Sequence, residues 1–83
     1  MKFKAEIDVM PLKELLDPQG KAVGAGMKNL GLTEIYDVRI GKHIALEFEA
    51  ANKEAANQKV EEACKKLLAN QIMEGYKFEV AEV

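Results

Sequence analysis

Two side chains in this sequence have the chemistry for nucleophilic attack or proton transfer near neutral pH, His43 and Cys64, and each residue type occurs once. A thiol attacks as the thiolate, and a general base must lie within hydrogen-bond reach of the proton it removes. Cys64 falls in the middle of an apolar helical stripe, Ala56, Val60, Ala63, Cys64, Leu67 and Leu68. There a cysteine reads as a small buried hydrophobe. His43 sits where a hairpin tip is expected, a position for a solvated or interface histidine. A metal site needs about three or four converging ligands, which one histidine and one cysteine do not supply. Gly24-Ala25-Gly26 lies within a helix instead of between a strand and a helix N-terminus, so it is not a phosphate-cradling loop. The stretch Met10-Pro11-Leu12-Lys13-Glu14 after the first strand has no arginine-bearing phosphate cradle of the acylphosphatase kind. The expectation is a chain with no self-contained active site, acting through contacts with other proteins.

The elements that would position these residues are legible from period. Lys2 to Val9 alternates, with Phe3, Ala5, Ile7 and Val9 on one face, and Pro11 closes the strand. Asp17-Pro18 reads as an N-cap and first helical residue. Val23, Met27 and Leu30 then follow at helical spacing, and Gly31 is the stop. Ile35 to Ala50 reads as two strands, with Tyr36, Val38 and Ile40 on one face and Ile44, Leu46 and Phe48 on one face. A three-residue turn at Gly41-Lys42-His43 would set Ile40 against Ile44, Val38 against Leu46 and Tyr36 against Phe48. Asn52 caps a second helix with Glu61–Lys65 and Glu62–Lys66 pairs on its wet side, Asn70 ends it, and Tyr76, Phe78 and Val80 mark a last strand. The order βαββαβ predicts a ferredoxin-like α+β fold: a four-stranded antiparallel sheet with both helices on one face. No internal linker or repeat divides residues 1–83, which read as a single domain.

Composition excludes several function classes. Net charge is −2 and the pI is near 5.4, so nothing draws the chain to phosphate backbones. RNA-recognition sheets carry aromatics on the open face. Here that face is expected to show Lys4, Glu6, Asp8, Asp37, Arg39, Ala45, Glu47, Glu49, Lys77 and Glu79, with the rings on the core side. No apolar run approaches the roughly 20 residues of a membrane helix. The charged N-terminal stretch does not read as a signal peptide. One cysteine permits no internal disulfide. A cytoplasmic protein is expected. A chain of 83 residues is also small enough that oligomerisation is an ordinary route to stability.

Three segments carry a family resemblance: Leu16-Asp17-Pro18-Gln19-Gly20-Lys21-Ala22-Val23, Asp37-Val38-Arg39-Ile40-Gly41-Lys42, and Cys64-Lys65-Lys66-Leu67-Leu68-Ala69-Asn70 followed by Ile72, Glu74 and Tyr76. In sequence and in order they resemble the PurS family, over essentially the whole chain. Extra glycine at Gly24 and Gly26, and Met73 between Ile72 and Glu74, are mild departures. The resemblance implies the small, non-catalytic subunit of phosphoribosylformylglycinamidine synthase, a carbon–nitrogen ligase of de novo purine synthesis. It implies partners too: a glutaminase, PurQ, that releases ammonia, and a synthetase, PurL, that uses ATP and Mg²⁺. The chain itself would hold no cofactor or metal and would form a homodimer or tetramer. Asp17, Asp37, Arg39, Lys42 and His43 are the candidate partner-interface residues. The competing class is an ACT-like regulatory module that binds an amino acid at a dimer interface, for which Gly20 is the one supporting residue.

Overall fold

The computed structural model describes residues 1–83. Its centre is β1 (Lys2–Pro11), flanked by β2 (Lys42–Glu49) and β3 (Glu74–Glu82) in a three-stranded antiparallel sheet of order β2-β1-β3. The alternation in β1 has the expected consequence. Phe3, Ala5, Ile7 and Val9 are at most 1% exposed, and their register neighbours are Phe48, Leu46 and Ile44 on one side and Val80, Phe78 and Tyr76 on the other. The opposite face carries Lys4, Glu6, Asp8, Glu47, Lys77 and Glu79.

One helix closes this core. Asn52 caps α2 (Lys53–Ala63) by accepting from the Ala55 amide at 2.8 Å, and Ala56, Val60 and Cys64 press onto the sheet. The Glu61–Lys65 and Glu62–Lys66 pairs form on the outside at 3.5 and 2.9 Å, where such pairs add a few tenths of a kcal/mol at most. The helix then widens into a π-turn, Cys64–Leu68, in which the Ala69 amide reaches the Cys64 carbonyl. That extra residue per turn re-phases the apolar stripe. Leu68 and Ala69 turn inward, while Leu67, expected in the stripe, is 82% exposed.

The four-stranded sheet is not what forms. Residues 35–41 carry no ladder pairing, and Gly41 does not adopt the positive φ that the common two-residue hairpin turns require. Tyr36, Val38, Ile40, Ile44, Leu46 and Phe48 all share even parity, which one uninterrupted extended chain also produces. Residues 35–49 at about 3.3 Å each span about 50 Å, matching the 51 Å long axis of the molecule. Instead of folding back, the chain runs straight past the end of β1.

The first helix, α1 (Pro18–Asn29), accordingly lies beyond the sheet. Its caps are as expected: Asp17 accepts at the N-terminus, Pro18 opens the helix, and Gly31 follows it at φ +85°. It packs on residues 35–40, not on the sheet, so both helices do not share one face. Gly20 is its sole buried residue, and a Cβ there would collide with the Val38 carbonyl oxygen. α1 and residues 32–41 thus form an arm. The radius of gyration is 16.4 Å, against about 12 Å for a compact chain of this length.

Candidate functional site

The arm and sheet meet at a clamp built from two of the candidate residues. The first, Asp17, ends the loop after β1. Its Oδ1 accepts from the Gly20 amide at 3.0 Å, the usual N-cap bond, and its Oδ2 accepts from the Ile40 amide at 2.9 Å. These bonds, foremost the one from Gly20, hold the carboxyl below its ordinary value, with the Arg39 guanidinium assisting. Arg39 is the second half. Its Nη1 donates to the Lys13 carbonyl at 3.2 Å, and its Nη2 donates to those of Pro11 at 3.2 Å and Leu12 at 2.6 Å. Its Nε lies 3.9 Å from Asp17 Oδ2, enclosed and without a hydrogen-bond partner. A planar fork with five donors suits such a cluster of carbonyls, and a lysine could not reproduce it. The Leu12 amide in turn donates to the Met73 carbonyl at 2.9 Å, joining this loop to the one before β3. Between the two loops lies an open groove of about 360 Å³, lined by Leu15, Leu16, Asp17, Ile40 and Met73 among others.

His43 is on the other face of the molecule from the core. Its Nδ1 lies 2.7 Å from Asp8 Oδ1, and its Nε2 lies 3.5 Å from Glu6 Oε1. The Asp8 contact, more than the Glu6 one, raises the imidazole above its ordinary 6.5. Register explains the grouping, since Asp8 is the partner of His43 across β1 and β2. Lys42 and Asp37 are exposed and make no ion pair. So the structure brings Asp17 together with Arg39, and His43 with Asp8 and Glu6. It leaves Asp37 and Lys42 free at the surface.

Sequence reasoning overlooked the acidic partners of His43, although strand parity already put Glu6 and Asp8 on that face. It also overlooked the clamp, whose acceptors are backbone carbonyls and leave no side-chain signature. Cys64 is fully buried, and burial pushes its thiol up, away from the thiolate. No three His, Cys, Asp or Glu side chains converge in a way that could hold a metal ion.

Comparison with known proteins resolves what this arrangement belongs to. Residues 4–82 match the sequence profile of PurS, described as phosphoribosylformylglycinamidine (FGAM) synthase. The chain belongs to the PurS family. It is 40% identical to the phosphoribosylformylglycinamidine synthase subunit PurS of Bacillus subtilis over 81 residues, 98% of this chain and 95% of that one. The PurS subunit of Synechocystis is 44% identical over 78 residues, covering 94% and 78%. Among solved structures, B. subtilis PurS superposes with a TM-score of 0.87 at 39% identity, covering 96% of this chain and 99% of that one. A chain in the structure of PurLQS from Thermotoga maritima gives a TM-score of 0.87 at 34% identity, covering 98% and 99%. PurS is a non-catalytic subunit of FGAM synthase, EC 6.3.5.3, and the three-stranded fold described above is the PurS one.

Proposed function

We propose that this chain joins a PurQ glutaminase to a PurL synthetase and holds them so that ammonia passes from one to the other. The observation that carries the reading is where its reactive side chains stand. Asp17 and Arg39 are engaged in holding loops, Cys64 is buried, and His43 lies on an open, charged sheet face. None is paired with a base, an oxyanion cradle and a cavity in the way a hydrolase or ligase needs. The close match to a chain solved within the PurLQS structure points to the same assembly. Glutamine would then be consumed on PurQ, and ATP with Mg²⁺ on PurL, with none of them held here. Such an assembly works in the cytoplasm.

The physical reason for a third subunit is proximity. Ammonia loses its nucleophilic lone pair on protonation and is diluted once it reaches bulk water, so the two sites must be held in fixed relation. Asp37, Lys42 and His43 are the exposed candidates to meet a partner. Asp17 and Arg39 act by shaping the loop from Pro11 to Leu16. The test is reconstitution with PurQ and PurL, following amidine formation from formylglycinamide ribonucleotide. With glutamine as the sole nitrogen donor, omission of this chain should abolish turnover, whereas a high concentration of ammonium salt should restore it. Equal glutamine-dependent turnover with and without the chain would refute the bridging role.

A further inference from the structure

We infer that His43 makes the joint between sheet and arm sensitive to pH: doubly protonated, its ring fastens the start of β2 to β1, and on losing a proton it releases that end of the ladder. The inference goes beyond the bridging role and does not depend on it. It starts from what faces the ring. Nδ1 lies 2.7 Å from Asp8 Oδ1, and Nε2 lies 3.5 Å from Glu6 Oε1. An ionised carboxylate only accepts, and a neutral imidazole donates through one nitrogen alone. Both contacts are attractive together only when the ring carries two protons. The neutral form turns a lone pair toward one of the carboxylates.

The strands build this arrangement. Asp8 is the register partner of His43. Glu6, on the same face of β1, stands opposite Ala45, whose small side chain leaves room for the ring to lean along the strand. From β3, Lys77 stands opposite Asp8 and Glu79 opposite Glu6. The ring and these four charged side chains line one open hollow of about 300 Å³. Three carboxylates therefore surround the imidazole against one ammonium, and that balance favours the cation. The Asp8 contact, more than the Glu6 one, holds the ring above its ordinary 6.5.

Position turns this cluster into a joint. β2 begins at Lys42, directly after Gly41, and the arm leaves the sheet there. Val9–Lys42 and Asp8–His43 are the last two pairs of the β1–β2 ladder. On the arm side of Gly41, Arg39 holds the Pro11, Leu12 and Lys13 carbonyls, and Asp17 holds the Ile40 amide. A guanidinium keeps its charge throughout the neutral range, and the amide contacts keep Asp17 ionised. His43 is the one histidine in the chain, and among these groups its charge alone changes near neutrality. A rise in pH thus loosens one fastening of the joint and leaves the other in place.

Residue-resolved hydrogen exchange on the purified full chain tests this, run from about pH 5.5 to 8.5 and corrected for the intrinsic exchange rate at each pH. Parity gives the reporters. The Ala50 amide donates to the Met1 carbonyl at 3.0 Å, so in β2 the even-numbered residues bond to β1. Protection of the Lys42 amide should fall about two- to fivefold as the imidazole deprotonates, the range of an exposed ion pair. Protection of Phe48, at the far end of the strand, should stay constant. The His43 side chain is 53% exposed, so substitutions there leave the core alone. His43→Gln should hold Lys42 at the low value at every pH, and His43→Lys, which stays charged, at the high one. A flat wild-type profile at Lys42 would overturn the joint. So would an equal fall at Phe48, which marks loosening of the whole sheet, or an undiminished fall in His43→Gln.

Discussion

At the scale of single residues, the glycines of α1 separate into different physical roles. Gly20 lies against the Val38 carbonyl and the Asp17 carboxylate, so an added methyl must displace backbone. Overpacking of that kind costs about 1–3 kcal/mol, and Gly20→Ala should lower the denaturant midpoint accordingly. Gly26 has open space around its Cβ direction, and removing a helical glycine there should raise stability by about 0.5–1 kcal/mol. Urea titration of the two variants reads both signs. His43 makes a second residue-scale prediction. Its folded pKa is raised above 6.5 by Asp8 and then Glu6. The stability it contributes is therefore full below 6.5 and lost as pH rises through the raised value. An NMR titration of the single imidazole should place its midpoint above 6.5, and Asp8→Asn should move it down; a wild-type midpoint at or below 6.5 would contradict the pairing. Lys77 is the register partner of Asp8 on β3 and adds positive charge to the face that carries His43, so Lys77→Gln should raise the midpoint further.

Among the elements, the caps and strand faces were legible because their causes are local. Asp17-Pro18 and Asn52 satisfy orphan amides within three residues, and β1 alternates without a break. The arm was not, because its fate turns on a comparison between two long-range partners. Even parity from Tyr36 through Phe48 fits a hairpin with an odd turn and a straight strand equally well, and only the surroundings of Gly41 decide between them. Leu67 was misplaced for a similar reason, since the hydrogen bond from the Ala69 amide to Cys64 shifts phase without any sequence mark. The clamp was invisible for lack of a side-chain partner to match. It nevertheless makes an element-scale prediction. Losing an ordinary cap costs about 1 kcal/mol, and Asn52→Ala should show that much. Asp17→Ala also strands the Ile40 amide and removes the counter-charge 3.9 Å from Arg39 Nε, so its loss should exceed that of Asn52→Ala. Arg39→Glu should leave the sheet intact and release residues 11–17, seen as faster amide exchange confined to that loop. Retained protection there would show that the carbonyl contacts are dispensable.

Across the whole molecule, shape decides what the chain can do alone. Only 11 of 83 residues are buried, and the long axis of 51 Å is about twice the next, 26 Å. A body with so little core gains stability by covering β2 and the arm, and when a second copy supplies the cover, folding becomes linked to association. Its unfolding midpoint should then rise with protein concentration. Each tenfold increase in chain concentration should add about 1.4 kcal/mol to the apparent stability of a dimer that unfolds in one step to two free chains. Thermal scans over a hundredfold concentration range measure this directly. Leu30→Lys places a charge on a side chain that is 77% exposed in one chain, at the C-cap of α1 where a cation suits the helix dipole, and so spares the monomer while penalising the covered state. That variant should lose the concentration dependence and melt at the lower, monomer value throughout. If wild-type midpoints are flat across the whole range, each chain folds without the other.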